Sequence, residues 1–405
     1  MTVKYQSEII EKICELIRIK SVQTDPCPGA PFGEGVAKSL EYVLTLGKEM
    51  GFTVKNLDGY AGYIEYGNGP KLYGIPVHLD VVPEGLNWSV DPYGGVIRDK
   101  AIYGRGVVDN KGPAIAVLYA LKMIKDMDLP LKNRVRIILG TNEETGKAGL
   151  RYYLEKEREP GFSVVPDSKF PVVNGEKGIV KYRLSGDLSV GEKTPLSIIE
   201  LQGGDAANMV PSYAIARIRY DSVFPTISMK EFCKRKDISI STSIDGKEII
   251  LEVFGQSAHG ASPHDGVNAV SGLLCVLSFL YGFPKNSKQE IESTVCMLSD
   301  RLNSAEGRNV GLSVSDKQSG SLTMNLGTIE MNEGRIYGVV DIRYPVSFEE
   351  TFVSQNLESH LSGIEIERLS GQEPIYYNEE SEEVLLLLDI YKTVTGKELK
   401  PVVIG

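Results

Sequence analysis

Residues 71–77 (KLYGIPV) and 134–141 (RVRIILGT) are apolar runs of strand length, and residues 113–127 between them (PAIAVLYALKMIKDM) are apolar on nearly every face. A helix without a polar stripe has to be covered all round. A strand apolar at consecutive positions has to be covered on both faces. Strand, buried helix and strand together predict an α/β domain whose sheet carries helices on both faces. Pro113 is expected at the first helical position, where no N–H is needed. Upstream, Ile9, Ile10, Ile13, Leu16 and Ile17 recur at helical spacing and predict a helix over 7–20. A Pro/Gly-rich loop follows over 24–35, then a helix over 36–50 closed by Gly51.

Beyond about residue 180 the texture changes. Residues 238–254 (ISISTSIDGKEIILEVF) read as two strands joined at Asp245-Gly246, a hairpin signal. Residues 321–343 repeat the pattern, with Asn332-Glu333-Gly334 as the turn, and a helix is expected between them over 267–281. A helical pattern returns over 379–396, and the final KPVVIG reads as one more strand. The layout expected is an α/β catalytic domain (1–180 plus 377–405) interrupted by an inserted α+β lid domain (181–376).

A chain of 405 residues fits two or three domains. Its net charge of −10, with no extended Lys/Arg-rich segment, points away from nucleic acid as a partner. The first 20 residues lack the apolar core of a signal peptide, and no run approaches the ~20 apolar residues of a membrane span. Five cysteines, an odd number with no Cys-x-x-Cys, suit a reducing compartment. The expectation is a soluble cytoplasmic protein with free thiols and no membrane partner.

Four histidines are present: His78, His259, His264 and His360. His78 and Asp80 form His-x-Asp at the end of a predicted strand, where residues i and i+2 point the same way and a carboxylate can orient a ligating imidazole. Asp109, in GRGVVDNKGP, reads either as a metal ligand or as the N-cap of the buried helix. Glu143 and Glu144 follow a strand; being adjacent they point apart, so one can bind a metal while the other moves protons. The plainer reading puts both at the start of the next helix, favoured by its dipole. Asp167 alone is an ordinary turn aspartate. Taken together, His78, Asp109, Glu144 and Asp167 all fall at or just past strand ends, where ligands of open α/β sheets collect. One histidine with three carboxylates suits Zn²⁺, Mn²⁺ or Co²⁺.

The stretches PVHLDVVPEG, GRGVVDNKGP, GTNEETG, VVPDSKFPVVNGEKG and GQSAHGASPHDGVNA, in this order along the chain, resemble the M20 metallopeptidases. The fourth stretch and the long insertion are similar to the dipeptidase V branch of aminoacyl-dipeptidases. The resemblance implies two zinc ions bridged by Asp109, with His78 and Asp167 on one and Glu144 on the other. Asp80 would orient His78, and Glu143 would be the general base and then the acid, a role that a raised pKa suits. It also implies a cis peptide bond at Asp109-Asn110. In the lid, His259 would stabilise the oxyanion, Arg343 would grip the substrate's C-terminal carboxylate and Asn208 would reach the substrate. The alternatives are a loop histidine for His259 and a solvent-facing strand arginine for Arg343. His264 is read as structural, His360 as a surface residue and the cysteines as incidental.

The implied activity is hydrolysis of dipeptides or very short peptides with a free N-terminus, by a monomer whose long lid takes the place of a second subunit's. An M20-type deacylase of N-acyl amino acids and a non-catalytic peptide binder are the alternatives. The family's second metal takes a further histidine near the C-terminus, whereas none follows His360 here. The expectation is that this chain is truncated before that ligand.

Overall fold

The computed structural model describes residues 2–85, 88–188, 195–282 and 294–405. Its chain forms two compact units, 1–168 and 169–405. The division expected from sequence differs: it placed 169–180 and 377–405 with the catalytic part.

In the first unit, α1 (Thr2–Ile17) and α2 (Glu34–Glu49) precede β1 (Thr53–Leu57), β2 (Ala61–Tyr66) and β3 (Leu72–His78). A short hairpin of β4 (Val96–Arg98) and β5 (Ala101–Tyr103) leads to α3 (Lys111–Asp126). β6 (Arg134–Gly140), α4 (Ala148–Lys156) and β7 (Phe162–Ser163) complete it. The main sheet runs β1-β2-β6-β3-β7, with β3 parallel to β6 and β7, and β2 antiparallel to β1 and β6. Alternation sorts its side chains. Ile64, Val77, Ile137 and Leu139 pack with α1, α2 and α3, while Tyr63 and Ile138 pack with Tyr153 of α4 on the other face. Both faces are therefore covered, which is why β6 is apolar at consecutive positions. α3 begins two residues earlier than expected, so Pro113 is its third residue, still inside the turn whose N–H groups need no helical partner.

The second unit opens with β8 (Val173–Glu176), β9 (Gly178–Asp187), β10 (Leu196–Gly203) and β11 (Tyr213–Tyr220). Next come α5 (Thr226–Lys236), β12 (Ser239–Asp245), β13 (Glu248–Phe254), α6 (Ala269–Tyr281) and α7 (Thr294–Arg301). After the two-residue strands β14 (Ser315–Asp316) and β15 (Gly320–Ser321) come β16 (Thr323–Asn332), β17 (Arg335–Tyr344), α8 (Glu350–His360) and β18 (Glu365–Gln372). β19 (Ile375–Tyr376), α9 (Glu382–Thr395) and β20 (Val402–Ile404) end the chain. Eight strands form an antiparallel sheet in the order β12-β13-β11-β10-β16-β17-β9-β18. The inward residues of its strands join α5, α6, α7 and α8 in one core, while β11, β12 and β13 alternate to an exposed face. Glu333 and Gly334, both at positive φ, make the two-residue turn between β16 and β17, the geometry that matches strand twist. The expected final strand is β20, which lies parallel to β8. No described helix is long and apolar enough to cross a membrane.

Candidate metal centre and substrate-binding residues

β3 and β6 run parallel with His78 opposite Gly140, so both strands end at one edge of the sheet. His78 sits on the last residue of β3 and is 3% exposed. Its Nδ1 faces the backbone oxygen of Asp80 at 3.0 Å, which turns Nε2 toward Asp109 Oδ1 at 2.8 Å and Asp167 Oδ2 at 3.5 Å. Burial disfavours a charged ring, but hydrogen bonds to Asp109, Asp167 and Asp80 outweigh it and push the His78 pKa up to about 12. Ligand atoms of His78, Asp109 and Glu144 lie within 4.8 Å of one another, and so do those of His78, Glu143 and Asp167. Burial first, then the charge of Asp109, pushes the Glu144 carboxyl up to about 7. It is thus Glu144 that has the raised pKa which the sequence reading wanted for a proton carrier. Four carboxylates crowd one imidazole, and His78 Nε2 lies within hydrogen-bond distance of Asp109. Oxygen donors with one nitrogen are the set that a divalent borderline cation takes, and a cation would offset the Asp109 charge that adds to burial in raising Glu144.

Two of the plainer readings, a helix cap at Asp109 and a helix start at Glu143 and Glu144, differ from the structure. Asn110, not Asp109, is the N-cap of α3, and Asn110 makes no side-chain cap bond. α4 starts at Ala148, so Glu143 and Glu144 lie outside its first turn. The peptide between Asp109 and Asn110 is cis, as the resemblance implies.

Several contacts that hold the centre together were not read from the sequence: those of Asp80 to a second loop, and those of Asn110, Asn142 and Gln23. Asp80, 1% exposed, accepts the backbone N–H of Glu143 at Oδ1 (3.1 Å) and that of Glu144 at Oδ2 (3.0 Å). It therefore ties the two acidic residues of one loop to the strand end that carries His78. Asn110, fully buried, donates from Nδ2 to Asp167 Oδ1 (2.8 Å) and to Pro166 O (2.9 Å). Its place directly after Asp109 was the available signal. Asn142 accepts from Ala148 N at 2.9 Å and donates to Gln23 Oε1 at 2.8 Å, and nothing local marks Gln23. Glu143 is 38% exposed at its side chain and lies 3.5 Å from Lys147 Nζ, so it stays accessible to solvent.

In the second unit, Asn208, His259 and Arg343 come together on neighbouring elements. Met209 pairs with His259 in an isolated antiparallel bridge, Gly260 N donates to Asn208 O (2.7 Å) and Val210 N donates to Ala258 O (2.9 Å). A Cβ on Gly260 would meet the backbone of Asn208 at 2.9 Å, so only glycine permits this approach. Ala261 N–H donates to His259 Nδ1, which leaves the proton of the neutral ring on Nε2. Burial, then the Arg343 charge, lowers the His259 pKa and so favours the neutral ring. Arg343 is 7% exposed rather than solvent-facing, and the fully buried Asp341 accepts from its Nε at 2.7 Å. His264 is exposed and lies 3.5 Å from Glu306, and His360 is half-buried and faces Asn356 O on α8. The five cysteines are free.

Residues 74–405 match the model of peptidase family M20/M25/M40. The chain is 35% identical over its whole length to "Putative dipeptidase YtjP" of Bacillus subtilis, covering 87% of that protein. It is 31% identical to a Staphylococcus epidermidis protein described as a dipeptidase in the same terms, over 99% of this chain and 87% of that one. Human carnosine dipeptidase 1 shares the fold with a TM-score of 0.57 at 15% identity, covering 98% of this chain and 84% of that one. An M20 family metallo-carboxypeptidase from Sulfolobus solfataricus does so with a TM-score of 0.55 at 18% identity, over 98% and 85% of the two chains.

Proposed function

The chain belongs to peptidase family M20/M25/M40, and on that footing we propose that it hydrolyses the peptide bond of dipeptides, or of very short peptides with a free N-terminus. The observation that carries this reading is the convergence of His78, Asp109, Glu143, Glu144 and Asp167 at one end of the β3–β6 pair. The names of the relatives supply the substrate class.

His78 and Asp167 would hold one zinc ion, Glu144 the other, with Asp109 shared between them. When bound, the two ions supply Lewis acidity toward the scissile carbonyl. Glu143 takes a proton from the attacking water and returns it to the nitrogen of the leaving amine. Asp80 keeps Glu143 and Glu144 in place through their backbone N–H groups. His259 Nε2–H donates to the oxygen that gains charge as the carbonyl becomes tetrahedral. Arg343 takes the substrate's carboxylate, for which a guanidinium fork is suited, while Asp341 holds its Nε side. Asn208 adds an amide to the same binding set. The division of labour is thus metal binding in the first unit and substrate capture in the second. The protein acts as a monomer, and a tight dimer in sedimentation overturns that part.

Turnover of a free dipeptide and of an N-acetyl amino acid by the zinc-loaded protein tests the reading. Cleavage of the dipeptide, abolished by chelation, is expected. Cleavage of the N-acetyl amino acid alone, or dipeptide binding without turnover, contradicts it.

A further inference from the structure

Asn325 is the third residue of β16, 1% exposed, and its amide is engaged in three directions. Nδ2 donates to Ala207 O (2.9 Å) and to Met209 O (2.8 Å), the two carbonyls that flank Asn208. Oδ1 accepts from Asn268 Nδ2 (3.2 Å), which also donates to Leu326 O (2.9 Å). Both carbonyls are acceptors only, so the NH₂ group must face them and the amide has one possible orientation. Asn268 is the N-cap of α6, accepting from Ser271 N at 2.9 Å, and it follows directly on the loop that carries His259. One buried amide therefore grips the arm bearing Asn208 and the base of the arm bearing His259. Gly327 beside it lets the Asn208 arm descend, since a Cβ there would lie 2.2 Å from Ala207 O. Across the strand pair, Asn325 stands opposite Asp341, whose carboxylate holds Arg343.

Nothing in helix capping or core packing requires an asparagine here. A buried amide is costly unless satisfied, and this one is satisfied by the two arms. We propose that Asn325 is a positioning residue: with its cross-strand neighbour Asp341 it sets Asn208, His259 and Arg343 in register with one another for substrate binding. The proposal rests on the substrate-binding reading given above for those three residues.

The test uses the zinc-loaded full chain and the Asn325→Ala variant, read by amide hydrogen exchange and by steady-state kinetics on a dipeptide. The N–H groups of Gly260 and Val210 report the pairing of the two arms. Exchange at residues 206–212 and 256–267 is expected to quicken tenfold or more while β9 and β17 keep their protection. Over the same change kcat/KM is expected to fall at least tenfold. Uniform loosening of the whole sheet, or unchanged exchange at the two arms, overturns the proposal. If Asn325→Ala does not fold, Asn268→Ser serves: serine keeps the cap but loses the amide donor, and the same selective loosening at 256–267 is expected. The two readings fail separately. If Asn208→Ala and His259→Ala turn over substrate like the parent while Asn325→Ala still loosens both arms, the substrate reading fails and the anchor stands. If those two variants are inactive while Asn325→Ala changes neither exchange nor kinetics, the anchor fails and the substrate reading stands.

Discussion

Asp80 has two carboxylate oxygens and uses each on a different N–H of the Glu143–Glu144 loop. Asparagine in its place keeps the size but offers one acceptor oxygen. Asp80→Asn is expected to lower metal affinity about 10- to 100-fold, the usual cost of losing an outer partner of a metal centre; competition against a chelator measures it, and unchanged affinity counts against the clamp. Glu143→Gln should leave bound metal as it is and cut kcat by about 10²–10⁴-fold, the typical worth of a positioned acid–base group. Loss of metal from that variant would instead make Glu143 a ligand. Metal affinity should also rise with pH. Ligation needs His78 to give up the proton that its carboxylates hold, and below about pH 7 Glu144 must ionise as well, so the rise is steeper on that side. Flat affinity from pH 5.5 to 8 argues against this donor set. At this scale the sequence was informative for the residues of the two clusters, which stand in recognisable stretches. It was silent on Gln23 and on the second role of Asp80, because both act on residues distant along the chain.

The elements with strong periodicity lie close to where the apolar pattern puts them: α2, α3, α6, β3, β6 and the β16–β17 hairpin each start or end within a few residues of expectation. The first helix begins at Thr2, ahead of its apolar stripe, and Tyr5 in the added stretch joins the buried core without a repeat that marks it. What local patterning could not show is the order of the large sheet, in which Gly203 of β10 lies opposite Ile329 of β16. The two-residue strands β7, β14, β15 and β19 are likewise too short to carry a period. An ion pair ties α8 to β18. Arg368 donates to both oxygens of Glu350, and Tyr182 of β9 adds a third donor. The Arg368 guanidinium, against an opposing effect of burial, holds the Glu350 carboxyl below its ordinary value. A depressed folded pKa stabilises the protein above the unfolded value, about 4.3, and that contribution is lost as pH falls through the folded value. Glu350→Gln should therefore cost about 1 kcal/mol at pH 7, with Arg368 half exposed and the pair screened accordingly. In urea denaturation the gap between parent and variant should close toward pH 3. A gap that stays constant would trace the cost to packing instead.

At the scale of the molecule, an α/β unit carries the residues assigned to the metal and an antiparallel sheet unit carries those assigned to the substrate. The change of texture near residue 180 made two parts legible, since a covered mixed sheet and a one-sided antiparallel sheet leave different apolar patterns. The point of division was less legible. Residues 169–180 and 377–405 group with the second unit, where β8 takes β20 as its parallel neighbour, a pairing between chain segments that no local signal announces. The account as a whole depends on the first unit holding divalent metal through His78, Asp109, Glu144 and Asp167. Elemental analysis after dialysis against zinc, on the parent chain and on Asp109→Ala, tests that claim most directly. Two zinc ions per parent chain, and neither retained at the same free zinc when the shared ligand is gone, is the predicted result. No bound zinc in the parent, or the same content in both proteins, would contradict it.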